Sequence, residues 1–153
     1  MRLCWTLSAF LAVGLAAGVY LFGVRGSVVP ASDGRTAILL EPGERDLVLA
    51  EMRAFLAATQ GVLVGATKGD PVAAATAARA VGAAAQGGVP VSLMGKLPLG
   101  FKQLGFDTHS RFDQLALDAE SLGDAGQTLT ALAELMSNCV ACHAAFRIDA
   151  PQP

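Results

Sequence analysis

Cys139-Val140-Ala141-Cys142-His143, close to the C-terminus of a 153-residue chain, constrains the fold more than any other stretch. It reads C-x-x-C-H, the pattern in which two thiols bond the vinyl groups of one haem and the next imidazole ligates its iron. On a helix, positions i and i+3 lie about 60° apart around the axis, and i+4 returns close to i. Cys139, Cys142 and His143 therefore meet one flat ligand on one face. A ring tethered in this way needs apolar walls from other helices. The motif thus predicts a helical domain built around haem c (iron), one per chain and covalently attached.

Other chemistries use a Cys-x-x-Cys pair. A thioredoxin-like redox site needs a strand–helix unit, and no strand-like alternation flanks this pair. A zinc site needs four ligands, and the chain offers only Cys4 and His109 besides the motif. A structural disulfide between i and i+3 of one helix has poor geometry.

The first residues bear on where the domain works. Leu3 to Val24 is a run of 22 uncharged residues between Arg2 and Arg25. A secretory signal has an apolar core of about 7–15 residues, whereas a bilayer span needs about 20. Length favours a membrane anchor, while Val29-Pro30-Ala31 offers the small residues of a cleavage site. Residues 1–25 are therefore read as a signal peptide or anchor, 26–41 as a linker and 42–153 as the haem domain. Haem attachment takes place after export, which puts the domain in the periplasm, soluble or held at the inner membrane. Cys4 is apolar filler of the leader. Whether the patch Ala37-Ile38-Leu39-Leu40 packs on the domain or on the membrane stays open. The net charge of −2 suggests no nucleic-acid partner.

The expected fold class is all-α, an antiparallel four-helix bundle behind the N-terminal hydrophobic leader or transmembrane helix. Pro42 opens a first helix to about Ala66, with Val48, Met52, Phe55, Thr59, Val62 and Ala66 on one stripe. Asp70 and Pro71 start a second, Ala-rich helix to about Gln86. Val91 to Leu97 is read as a short turn of helix. The third helix spans about Pro98 to Leu122, with Phe101, Gly105, Thr108, Phe112, Leu115, Ala119 and Leu122 inward. The fourth runs from about Gln127 to Arg147, with Leu129, Leu132, Met136, Cys139, Cys142 or His143, and Phe146 inward. His109, one step off the third stripe, is expected to face solvent. Asp107, Asp113, Asp118 and Glu120 form the wet face of that helix.

In such a bundle the first and last helices are neighbours, so the first helix faces the haem opposite His143, the proximal iron ligand. Met52 lies mid-stripe there and is either core packing or the distal iron ligand. Phe55 and Leu56 are read as apolar walls of the ring, and Phe146 as packing on the proximal side. Arg147, four residues after His143, either pairs with a haem propionate or is a solvated cation at the helix C-terminus. No nucleophile–base pair is apparent, so no enzyme is expected.

A leader, four helices and a last helix ending Cys139-Val140-Ala141-Cys142-His143-Ala144-Ala145-Phe146-Arg147 resemble the cytochrome c′ family, the class II c-type cytochromes. The resemblance covers Pro42 to Ile148. Its specific part is C-x-x-C-H followed by Phe146-Arg147, and the rest is topology. It implies a periplasmic four-helix haem protein, in many members a homodimer, with the distal iron face covered by a residue at the place of Met52. Members with Met there are electron carriers, which implies periplasmic or membrane redox proteins as partners. Members with Leu or another non-ligand there are five-coordinate and bind NO or CO. The long uncharged leader departs from the soluble members, and Leu97 to Lys102 maps to no role in the family.

Overall fold

Glu41, Pro42 and Glu44 begin the longest helix of the domain. In the computed structural model, which describes the backbone of residues 2–151 and the side chains of residues 5–151, this is α2 (Pro42–Thr67). The reading of Cys4 falls on a side chain outside the described residues. The Glu41 N–H donates to Glu44 Oε2 at 3.0 Å, closing a reciprocal cap at the helix start. Along α2, Val48, Phe55, Val62 and Ala66 are buried as their spacing predicts, and Met52 and Thr59 are half-buried.

Helix α3 (Pro71–Arg79) lies very close to α2 because both carry small residues at the contact. A Cβ at Gly61 would sit 2.7 Å from the Ala77 Cβ, and one at Gly65 only 2.5 Å from the Ala74 nitrogen. Asp70 caps α3 by accepting the Ala73 N–H at 2.9 Å. The helix stops well short of the expected Gln86, and Ala83–Gly88 follows as a 3₁₀ stretch. Side chains of the next long helix cause this. The Val81 carbonyl is hydrogen-bonded to His109, and the Ala83 N–H donates to Asp113 Oδ2 at 2.8 Å. These tertiary bonds take the backbone groups that another helical turn would use.

The short α4 (Val91–Lys96) leads into α5 (Leu99–Leu122), which ends at Gly123 with φ 62°. Asp124 then caps α6 (Ala125–Ala145), accepting the Gln127 N–H at 2.9 Å. Helix α2 packs on α3 and α6, and α5 packs on the same two. Phe55, Val62, Ala74, Ala78, Phe112, Leu115, Leu132 and Leu135 form the core between these four helices. Phe55 and Phe112 stack at 5.6 Å.

The fold is mostly helical, as expected, but not all-α. The segment read as a linker supplies β1 (Val28–Pro30) and β2 (Thr36–Leu39), and the tail after α6 supplies β3 (Phe146–Asp149). β1 pairs antiparallel with β2, and β2 parallel with β3, in the register Thr36 to Phe146 and Ile38 to Ile148. Ala37, Ile38 and Leu40 are fully buried, and Ile38 and Leu40 found a second core with Val48, Leu93 and Leu97. The apolar patch of the linker thus packs on the domain. The fourth helix, expected to reach Arg147, ends two residues earlier because Phe146 onward joins this sheet.

The leader forms α1 (Arg2–Gly18), continued by a wider-turned helical stretch, Val19–Arg25. Trp5–Arg25 is long and apolar enough to cross a membrane and is not buried against the domain. Pro42–Thr67 meets the same criteria of length and composition, but one of its faces is part of the core.

Candidate haem-attachment site

Asn138 sets how α6 presents its last two turns. It is 8 % exposed, and its amide donates to Asp107 Oδ2 at 2.8 Å and to Thr108 Oγ1 at 3.3 Å, both on α5. Asp107 is held below the usual carboxylate range, first by Asn138 and then by Arg111. With Asn138 inward, the buried face of α6 is Thr128, Leu132, Leu135 and Asn138. The expected stripe of Leu129, Leu132, Met136 and Cys139 is corrected by part of a turn, and Met136 is 43 % exposed. The inward polar residues have local partners. Thr128 Oγ1 donates to the Asp124 carbonyl at 2.9 Å, so burying it leaves no orphan group.

Cys139 and Cys142 consequently lie at the edge of this face, each half-buried, and they are not bonded to one another. Burial raises both thiol pKa values, and Cys139 adds to the shift at Cys142. Both are therefore protonated at neutral pH. His143 is exposed, and its imidazole makes no hydrogen bond to any described residue. Its carbonyl accepts from Arg35 Nη1 at 3.4 Å, and the same guanidinium nitrogen donates to the Phe146 carbonyl at 3.4 Å. Among the described residues no three His, Cys, Asp or Glu side chains group to hold a metal ion. A bare ion would need such a group. Haem does not, because the protein's thiols bond its vinyl carbons and only the imidazole reaches iron. The free thiols and unengaged imidazole on one helix edge fit that group.

The other candidates lie in varied surroundings. Met52 is half-buried and packs against both core clusters. The second of these also contains Phe146, which meets Phe101 edge-on at 5.6 Å. Phe55 is 8 % exposed and is a wall of the first core, whereas Leu56 is 71 % exposed. Arg147 is corrected from helix to strand, so it does not stand one turn beyond His143. Its guanidinium donates to Asp149 Oδ1 at 2.9 Å and to Asp33 Oδ2 at 3.2 Å. Asp33 also takes two bonds from the Arg35 side chain, and Arg35 lowers its pKa to about 2. The turn between β1 and β2 is thereby tied to the strand that follows the motif.

His109 overturns the expectation that it faces solvent. It is 2 % exposed, with Nδ1 2.7 Å from the Val81 carbonyl and Nε2 3.0 Å from Glu51 Oε1. A carbonyl only accepts, so Nδ1 carries a hydrogen. Nε2 and Glu51 then share one further proton. Burial opposes charge on the ring, but the bonds to Glu51 and Val81 outweigh it and raise the pKa above 6.5. The folded state thus holds this proton more tightly than the unfolded chain does. Its stabilisation is complete below about pH 6.5 and is lost as pH rises through the raised folded value. Thermal melts from about pH 5 to 9 should show that decline. Glu51→Gln should flatten it and cost about 1–2 kcal/mol at the acid end. An unaltered pH slope in Glu51→Gln would assign the proton elsewhere.

Sequence reasoning missed both the Glu51–His109 pair and the Asn138–Asp107 bond. A signal for His109 was present: Gly105, His109, Phe112 and Ala116 repeat at helical spacing beside the stripe chosen above. Compared with protein-family models, curated proteins and solved structures, the chain matches none.

Proposed function

We propose that this chain is an exported c-type cytochrome that passes single electrons between redox proteins at or near the membrane. The observation that carries this reading is the pair of free, half-buried thiols beside an unengaged imidazole on one edge of α6. Cys139 and Cys142 would hold the ring through thioether bonds, and His143 would ligate the iron. Haem held there supplies a one-electron couple. Asn138 orients the helix edge from behind, and Arg35 ties the motif's last turn to the sheet through its carbonyls.

The four long-range helix contacts are read as an antiparallel four-helix bundle of the cytochrome c′ kind. Lys68 to Asp70 and Gly123-Asp124 are short enough to reverse the chain between contacting helices. Met52 is proposed as the distal ligand because it joins the cluster containing Phe146, three residues beyond His143. Its thioether would keep the iron six-coordinate and raise its potential.

Absorption spectra of the purified protein, oxidised, reduced and reduced under CO, test this reading. Six-coordinate low-spin bands with no CO adduct are expected. Met52→Ala is expected to convert them to high-spin bands with a CO adduct. A CO adduct in the parent protein would instead support a five-coordinate haem that binds NO or CO. Absence of haem bands after maturation in a competent host would sink both.

A further inference from the structure

A cavity of about 490 Å³ lies between the start of α2, the segment from Ala85 to Leu97, and the first half of α5. Its walls are apolar, including Leu47, Val48, Leu93, Leu97, Phe101 and Phe106. The volume and lining suit a small organic ligand. Leu47 and Phe106 are about half exposed, at 51 % and 48 %, and form an apolar mouth. Cys139, Cys142 and His143 are not among the lining residues.

The polar side chains on the cavity are Glu51, Gln86, Lys102 and His109. The Lys102 ammonium has three donors, and it donates to the carbonyls of Phe22, Gly23 and Met94 at 3.2, 2.9 and 3.2 Å. It has no hydrogen left for an anion. The His109 nitrogens are engaged with Val81 and Glu51. Glu51 Oε2 has no hydrogen-bond partner among the described residues. With the shared proton on the imidazole, that oxygen is a spare acceptor on a side chain that lines the apolar cavity. Gln86 offers both a donor and an acceptor and does not discriminate. The chemistry admits a neutral hydroxyl donor on an apolar body and disfavours a carboxylate, which Glu51 would repel.

The position gives the source of such a ligand. Lys102 binds the last turns of the apolar Trp5–Arg25 helix, and the Ser27 N–H donates to the Lys96 carbonyl at 2.7 Å. A Cβ on Gly95 would touch Phe22 at 3.4 Å. The α4–α5 wall of the cavity is therefore fastened to the end of the segment read as membrane-spanning.

We propose that this cavity binds the hydroxylated ring of a lipid-soluble quinol entering from the bilayer, with Glu51 accepting the ring hydroxyl and the apolar walls holding the ring. The test uses the full chain in phosphatidylcholine nanodiscs, with decylubiquinol, its O-methylated ether and palmitate as probes and two-dimensional NMR as readout. Decylubiquinol should shift signals of α2, α4 and α5 saturably. The ether, which keeps the shape but lacks the donors, should bind about tenfold more weakly or worse. A Cβ at Gly105 meets no atom within 4 Å, so Gly105→Phe should fill the cavity without disturbing the fold and abolish binding. Equal binding of ether and quinol, saturable binding of palmitate at the same signals, or full binding in Gly105→Phe would overturn the proposal. Failure of the haem reading would leave these expectations standing. A protein with intact haem bands and no quinol binding would overturn this proposal alone.

Discussion

Cys139→Ala combined with Cys142→Ala is expected to abolish covalently bound haem. The peroxidase stain of the denatured protein should vanish, because each proposed thioether would be a carbon–sulfur bond to one of these thiols. Each single variant keeps one such bond and should retain a weaker stain. His143→Ala should keep the stain, since both thiols remain, but change the absorption spectrum by removing the proposed proximal ligand. The thiols are half-buried at the edge of α6 and pair with no described residue, so the double variant removes little packing. Its helical circular dichroism before haem loading should match that of the parent. Persistent stain in the double variant would mean that the motif is not the attachment site.

Phe112→Ala is expected to cost about 3–5 kcal/mol, the largest single loss from the domain. Phe112 is fully buried, stacks on Phe55, and lies among residues from α2, α3, α5 and α6. No single helix can move in to refill that space without losing contacts to the others. For a domain of this size the loss corresponds to a fall in Tm of roughly 6–20 °C. Leu56→Ala, at a site 71 % exposed, should change stability by less than about 0.5 kcal/mol. Urea denaturation of both variants checks the contrast. A small effect at Phe112, or a large one at Leu56, would mean that the core face of the domain is misassigned.

These two positions also show where sequence reading succeeded and where it failed. Phe112 sits on a strict helical repeat of apolar residues, which marks a buried face whatever the partner. Leu56 is as apolar as its neighbours but lies off the α2 stripe and is exposed, so hydrophobicity alone does not mark the core face. The α6 face was misjudged because apolar spacing alone set it, and the buried Thr128 and Asn138 are polar. In the fold Asn138 finds Asp107 and Thr108 on α5. His109 was misjudged because it lies one step off the third stripe, and its partners Glu51 and Val81 are 58 and 28 residues away. The strands escaped notice for a related reason. A four-residue strand such as Thr36–Leu39 has too short an alternation to read, and its partner Phe146–Asp149 lies at the other end of the chain.

What the sequence by itself determined is local: the helix starts at Pro42 and Pro71, the stops at Gly69 and Gly123, the core stripes of α2 and α5, and the spacing of Cys139, Cys142 and His143. Each depends on residues within a few turns of one another, where backbone geometry sets the outcome. Only the tertiary structure decided which way α6 turns, that the N-terminal linker pairs with the tail after α6 as a sheet, and that His109 is buried against Glu51. Those outcomes rest on polar groups satisfied by residues far along the chain. A polar side chain signals in the sequence that it needs a partner, but not whether that partner is water or another helix.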